Sequence, residues 1–93
     1  MIKTFRGRKT ALMFKGIVPK GFPSQIASVA RRKLGAVDAA IRLDDLRSPP
    51  GNRLEALTGT RAGQHSLRIN DQWRVCFVWK DGDAYNVEIT DYH

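Results

Sequence analysis

The first half of the chain carries the hydrophobic period of an amphipathic helix. Apolar residues recur at spacings of four, four, three and four, which is one stripe on a helix of 3.6 residues per turn; they are Ile26, Ala30, Leu34, Val37 and Ile41. Ser24 offers a side-chain oxygen as the N-cap. The pattern fades near Leu46, and the prolines of residues 48–52 end it because proline cannot continue a helix. We expect Arg31, Arg32 and Lys33 to flank the stripe and mostly face solvent.

Shorter elements precede this helix. Residues 1–6 form a short apolar/polar stretch, typical of an edge strand, and residues 10–15 fit one or two turns of helix. Residues 16–23 contain two glycines and two prolines and therefore predict a connector.

The second half of the chain changes to a period of two. Residues 53–57 and 65–69 are strand candidates, followed by two alternating runs: Trp73, Val75, Phe77 and Trp79, then Tyr85, Val87 and Ile89. At 93 residues the chain fits one domain, residues 1–93. The sequence therefore predicts an α+β fold in which an N-terminal strand and two helices pack on a mainly antiparallel sheet of four or five strands.

The turn in the last hairpin decides which residues share a face. A two-residue Asp81–Gly82 turn pairs Arg74 with Ile89 and places apolar residues on both faces. A three-residue loop, 80–82, shifts the pairing by one and keeps the apolar residues, Tyr85 included, together. We therefore predict the longer loop, with Arg74 on the opposite face, which it shares with Asn86, Glu88, Thr90 and Tyr92.

Charge points to a polyanionic or acidic partner. The net charge is +7, and nine basic residues with no acid lie before Asp38. Such a basic region attracts nucleic acid, although a solvated surface that awaits an acidic protein has the same composition. No apolar run is long enough for a membrane helix. The single cysteine, Cys76, excludes an internal disulfide and a multi-cysteine zinc site, and we expect no cofactor or metal.

The chain ends in three residues that could move protons. Asp91, Tyr92 and His93 combine an acid, a phenol and an imidazole, and Arg74 adds a guanidinium suited to phosphate oxygens. These groups suit metal-free transesterification of RNA, in which one group deprotonates the 2′-hydroxyl and another protonates the leaving oxygen. A frayed terminus is the alternative interpretation of the last histidine.

Further candidates lie around the predicted sheet. Three arginines would grip RNA phosphates or are solvated charges: Arg53, Arg61 and Arg68. His65 would stack on a base or transfer a proton, or is a hydrogen-bonded structural histidine. Glu55 is a general base or an ion-pair partner of a nearby arginine.

Several stretches together resemble a known family. They are residues 1–5, residues 34–40, Asn-Arg-Leu-Glu-Ala-Leu-Thr-Gly at 52–59, the segment 63–75 that ends Gln-Trp-Arg-Val, Asp-Gly-Asp-Ala-Tyr at 81–85 and Asp-Tyr-His at 91–93. This pattern, which covers nearly the whole chain, resembles the HigB-type toxins of the RelE/ParE superfamily, found in bacterial type II toxin–antitoxin pairs.

The resemblance implies a RelE-like fold and metal-free cleavage of mRNA on the translating ribosome. A small chain with one reduced thiol is itself typical of a cytoplasmic protein. The sheet arginine of the family falls on Arg74, and its C-terminal triad falls on Asp91, Tyr92 and His93. The implied partner is a HigA-type helix-turn-helix antitoxin, through which the toxin meets operator DNA only indirectly.

The chain departs from the family pattern at two positions. Glu55 stands where the family has histidine, and Thr58 stands where it has a catalytic lysine. The lost lysine leaves room for a ParE-like toxin that poisons DNA gyrase without cutting RNA. A third alternative is a co-repressor module, whose charge serves the binding of DNA or of the antitoxin. Arg61 or His65 would compensate for the lost cation in a nuclease.

Overall fold

Two helices cover one face of an antiparallel sheet in the computed structural model, which describes residues 1–91. The helices are α1 (Arg8–Phe14) and α2 (Ala27–Ala39), and the strands, adjacent in chain order, are β1 (Glu55–Ala56), β2 (His65–Arg68), β3 (Trp73–Lys80) and β4 (Asp83–Asp91). This arrangement confirms the predicted α+β fold. None of the helices within residues 1–91 is long and apolar enough to span a membrane.

The hydrophobic core lies between α2 and the helix-facing side of the sheet. Four members of the predicted stripe are buried: Ile26, Ala30, Leu34 and Val37. They meet the apolar residues of three strands, Leu67, Val75, Phe77, Val87 and Ile89, together with Met13 of α1. The period-two pattern thus correctly identifies the buried side of β3.

The start of α2 differs from the prediction. A short 3₁₀ turn, Ser24–Ile26, precedes it, and Pro23 occupies the capping position. Ser24 makes no side-chain capping bond, so the predicted N-cap is wrong. The helix proper begins three residues later, at Ala27.

The end of α2 also differs from the prediction. Ala40 is extended (ψ 133°), which turns the chain out of the helix, and Ile41 is 80% exposed rather than part of the buried stripe. The carboxylate of Asp45 explains the next turn, because it accepts hydrogen bonds of 3.0 Å from the backbone N–H groups of Ile41 and Arg42. These bonds lower the pKa of Asp45 and begin a 3₁₀ turn, Leu43–Arg47.

Lys33 is buried, not solvent-facing as the stripe predicts. Its side chain is among the few buried charged groups of residues 1–91, and its ammonium donates to Oδ1 of Asn52. Burial lowers the pKa of Lys33, and the charges of Arg32 and Arg68 lower it further.

The β3–β4 hairpin corrects the predicted loop. Lys80 pairs with Asp83, so the turn has two residues, Asp81 and Gly82, both with positive φ (52° and 82°). Two positive φ values are the mark of a type I′ turn, whose twist suits a hairpin. Next to the turn Tyr85 lies opposite Val78, and the prediction that it shares the face of Trp79 is wrong.

A β-bulge in β4 restores the predicted faces, although not the predicted pairing, beyond the turn. The register shifts between Cys76 and Val78, where Asn86 has a φ of 53°. Past the bulge Arg74 lies opposite Thr90, so the prediction that the two share the face away from the helices is confirmed, but the pairing is not the one that a three-residue loop gives. The extra residue, not a longer loop, therefore keeps the apolar residues on the helix-facing side.

The N-terminal segment runs along the free edge of β4. Isolated parallel bridges join Ile2 to Ala84 and Phe5 to Val87. The predicted edge strand is therefore present as two short contacts rather than a continuous ladder.

Candidate functional site

The face of the sheet that points away from the helices holds a polar array, here called the open face. The cross-strand register places two rows on it, and their members are Glu55, Ser66, Cys76 and Glu88 in one row, and Arg68, Arg74 and Thr90 in the other. Residues 1–91 form no enclosed pocket, so this candidate site is a surface.

Arg74 lies at the centre of the open face and is held by its neighbours. Its Nε donates to the hydroxyl of Ser66 over 2.8 Å, and its Nη2 donates to the backbone carbonyl of Arg53 over 2.8 Å. A carboxylate oxygen of Glu55 lies 3.8 Å from Nη2. Only 11% of the side chain is exposed, so the guanidinium is largely packed in place.

Arg68 faces Arg74 directly across the β2–β3 ladder. Like charges opposite each other destabilise a sheet unless anionic groups offset them. Asp71 forms an ion pair with Arg68, and the Asp71 side chain is 98% exposed. The register therefore places two arginines at neighbouring positions of the open face, and guanidinium groups suit an anion such as a phosphate.

Arg61 reaches the open face from the 3₁₀ turn after β1, Gly59–Arg61. Its guanidinium donates to Gln64 over 3.1 Å and to Glu88 of β4 over 3.4 Å. The side chains of Arg61 and Glu88 are each 27% exposed, so an anion at the surface can reach the ion pair. Cys76 lies in the same row, and burial raises the pKa of its thiol, which favours the packing role predicted for it.

Glu55 and Arg53 lie at the edge of this array. The Glu55 side chain is 53% exposed beside Arg74, where it can accept a proton from a bound ligand. The Arg53 side chain is exposed, and its backbone carbonyl rather than its charge contacts Arg74.

His65 is not brought together with Arg74. It pairs with Phe77, which faces the helices, and the two rings stack at 6.3 Å with an interplanar angle of 27°. Within residues 1–91, its Nδ1 is buried without a hydrogen-bond partner. The structure therefore places this candidate on the side of the sheet opposite the open face.

The C-terminal triad is only partly described. Asp91 lies opposite Trp73 in the ladder, one register position away from the Arg74–Thr90 pair, and accepts a 2.9 Å hydrogen bond from the side-chain amide of Gln72. Tyr92 and His93 lie outside the described residues.

Ser66 is a site residue that sequence reasoning missed. It is fully buried on β2, and only the pairing of β2 with β3 brings its hydroxyl to Arg74. The one available signal was a serine in an alternating strand at a position that the pattern turns away from the core.

Comparisons with known proteins find relatives of this chain by sequence. Residues 12–93 match the model of a family described as RelE-like toxin of type II toxin-antitoxin system HigB. The chain is 33% identical to "Endoribonuclease HigB" of Proteus vulgaris over 100% of both chains. It is 50% identical to "Toxin HigB-1" of Vibrio cholerae over 64 residues, which are 69% of this chain and 67% of that one.

A solved structure shows the same fold at low sequence identity. A chain from the YoeB–YefM toxin–antitoxin complex of Staphylococcus aureus superposes with a TM-score of 0.62 at 15% identity, over 100% of this chain and 98% of that one. The sequence matches and the shared architecture lead to one conclusion: the chain belongs to the HigB-like family, the RelE-like toxins of type II toxin–antitoxin systems.

Proposed function

We propose that the chain is an endoribonuclease toxin that cleaves mRNA on the ribosome, without a metal, and so inhibits translation. The observation that carries this proposal is the pairing of Arg68 with Arg74 on the open face, beside the exposed carboxylate of Glu55. Two guanidinium groups and a proton acceptor are the groups that a phosphodiester transesterification needs. The Proteus vulgaris relative, which is named an endoribonuclease, supports RNA cleavage by this chain as well.

In the proposed reaction Arg74 binds the scissile phosphate. A base removes the proton of the 2′-hydroxyl, the 2′-oxygen attacks phosphorus, and the 5′-oxygen leaves with a proton from an acid. The products are a 2′,3′-cyclic phosphate and a 5′-hydroxyl. The guanidinium stabilises the negative charge that gathers on the phosphoryl oxygens.

The proton-transfer groups are assigned from position and from the family pattern. Glu55 is the exposed carboxylate beside Arg74 and is placed to act as the base. Tyr92 and His93, which match the C-terminal motif of the family, are proposed to orient or donate protons, with Asp91 positioning them. Arg61 supplies a cation on the open face, whereas the family lysine is replaced by Thr58.

The partners proposed are the ribosome, mRNA and a neutralising antitoxin. The YoeB chain was solved in a complex with its antitoxin YefM, which supports an antitoxin for this chain as well. We propose a helix-turn-helix antitoxin of the HigA type that contacts operator DNA, and a cytoplasmic site of action that follows from the ribosomal target.

Primer extension on ribosome-bound mRNA tests the proposal. The wild type should produce discrete cleavage products, Arg74→Ala should lower the cleavage rate by about 10²- to 10³-fold, and a chain that lacks His93 should also lose activity. Arg47→Ala is the charge-matched control, because Arg47 lies outside the sheet and pairs with Asp44.

One outcome would overturn the proposed mechanism, and another would overturn the proposed function. Equal cleavage by all variants would remove these residues from the mechanism. Intact mRNA combined with inhibition of gyrase supercoiling would assign the chain to the ParE-like class instead.

A further inference from the structure

The guanidinium of Arg74 is held at two of its nitrogen atoms by fixed groups of the protein. Its Nε donates to Ser66 Oγ and its Nη2 to the carbonyl of Arg53, each over 2.8 Å. A guanidinium is planar, so two such bonds fix both its position and the orientation of its plane.

Ser66 is placed to act as a rigid acceptor. It is fully buried on β2, the strand between β1 and β3. It pairs with Glu55 of β1 and with Cys76 of β3. A buried hydroxyl on a paired strand has little freedom to move, so the atom that accepts from Arg74 is held by the whole sheet.

The backbone at Arg53, whose carbonyl accepts a hydrogen bond from Arg74, has an unusual conformation. Arg53 has a φ of 45°, in the left-handed region that residues with side chains rarely adopt. It closes the 3₁₀ turn Pro50–Asn52, and its own N–H donates to Pro50 over 3.1 Å. Rare backbone conformations persist where the surrounding structure enforces them, and they cluster at functional sites.

We propose that the Ser66 hydroxyl and the Arg53 backbone carbonyl are positioning groups, which hold the Arg74 guanidinium in its phosphate-binding orientation before RNA arrives. The inference rests on the proposed nuclease function. It assigns to Arg53 a role through its backbone conformation, distinct from any contact of its side chain with phosphate. It also gives a role to Ser66, which does not itself touch the substrate.

The first experiment separates positioning from folding at Ser66. Ser66→Ala should lower kcat for ribosome-bound mRNA by about 10- to 100-fold with little change in KM, because a misplaced catalytic group mainly affects the transition state. Ser66→Thr retains the hydroxyl and should recover most of kcat. Val37→Ala is the control for lost packing, since Val37 is equally buried but lies on α2, outside the candidate site, and it should keep kcat within about 3-fold.

The second experiment isolates the Arg53 backbone with a matched pair. Arg53→Asn and Arg53→Val both remove the charge, but asparagine tolerates a positive φ and a β-branched residue does not. Arg53→Val should therefore have a lower kcat than Arg53→Asn, by about 10-fold. Thermal unfolding of each variant identifies any that fail to fold, and only folded variants are compared.

A spectroscopic measurement reports on the contact without RNA. The Nε–H proton of Arg74 should exchange slowly with solvent in the wild type and at least about 10-fold faster in Ser66→Ala. Fast exchange in the wild type, or unchanged kcat in Ser66→Ala while Arg74→Ala is inactive, would overturn the positioning role and leave the proposed function intact. A wild type that cuts no RNA would overturn both.

Discussion

At the scale of single residues, charge on the open face is balanced by ion pairs within the protein. Arg61 is paired with Glu88, Arg68 with Asp71, and Arg74 lies beside Glu55. Each carboxylate competes with an incoming phosphate for its guanidinium. The strength of RNA binding is therefore expected to depend on the acids as much as on the arginines.

The Arg61–Glu88 pair allows this competition to be measured. Glu88→Gln keeps the shape of the side chain but removes its charge, so Arg61 should bind phosphate more strongly and RNA affinity should rise by about 2- to 5-fold. Arg61→Gln should lower affinity by a similar factor. Fluorescence anisotropy with a short RNA measures both, and a weaker affinity in Glu88→Gln would show that the carboxylate positions Arg61 rather than competes for it.

At the scale of elements, one buried contact ties the loop before β1 to helix α2. Asn52 is 1% exposed, donates to the carbonyls of Leu46 and Ser48 over 3.1 and 3.2 Å, and accepts from the ammonium of Lys33. The same loop continues into Arg53, whose carbonyl contacts Arg74. The conformation of the loop thus links the helical layer to the candidate site.

Asn52→Ala should destabilise the fold by about 2–3 kcal/mol, because it leaves the Lys33 ammonium and two backbone carbonyls without this partner. Lys33→Met should lower the free energy of unfolding by less, since it removes the buried charge together with its hydrogen bond to Asn52. Urea denaturation gives the free energies of unfolding. If Asn52→Ala lowers the free energy of unfolding by no more than the exposed-site variant Arg47→Ala does, the hydrogen bonds of Asn52 do not stabilise the fold in this way.

The lowered pKa of Lys33 adds a pH signature to the same comparison. The unfolded state binds more protons than the folded state between the lowered pKa and the ordinary value of 10.5. The contribution of Lys33 to stability should therefore rise as pH increases through that window. Stability curves of Lys33→Met should lack this rise.

At the scale of the whole molecule, two basic regions of the surface lie on opposite sides of the sheet. The acid-free segment before Asp38 forms the N-terminal segment and the helical layer, whereas the arginines of the candidate site lie on the opposite side of the sheet. A protein of this size can thus present a basic helical layer to one polyanion or acidic partner while the open face holds another.

Salt dependence should identify what the helical layer contacts. If it contacts ribosomal RNA, replacing both Arg31 and Arg32, which are exposed on α2, by glutamine should reduce the slope of log affinity for ribosomes against log salt by about 1 to 2. The double variant of the chain should keep its cleavage rate at saturating ribosome. An unchanged slope, with Arg47→Gln as the control, would assign this surface to the antitoxin instead.

The sequence by itself determined the layers and the position of Arg74 on the open face, since period-two and period-3.6 patterns report local burial directly. It also identified the family through the segments around Arg53, Arg74 and the C-terminus. Only the tertiary structure decided that a bulge at Asn86 returns the apolar residues of β4 to the helix-facing side, that Lys33 is buried against Asn52, and that Ser66 and the Arg53 carbonyl hold Arg74. Each of these features depends on a contact between residues distant in sequence, or on a backbone angle that the rest of the fold imposes. Local sequence patterns do not record either.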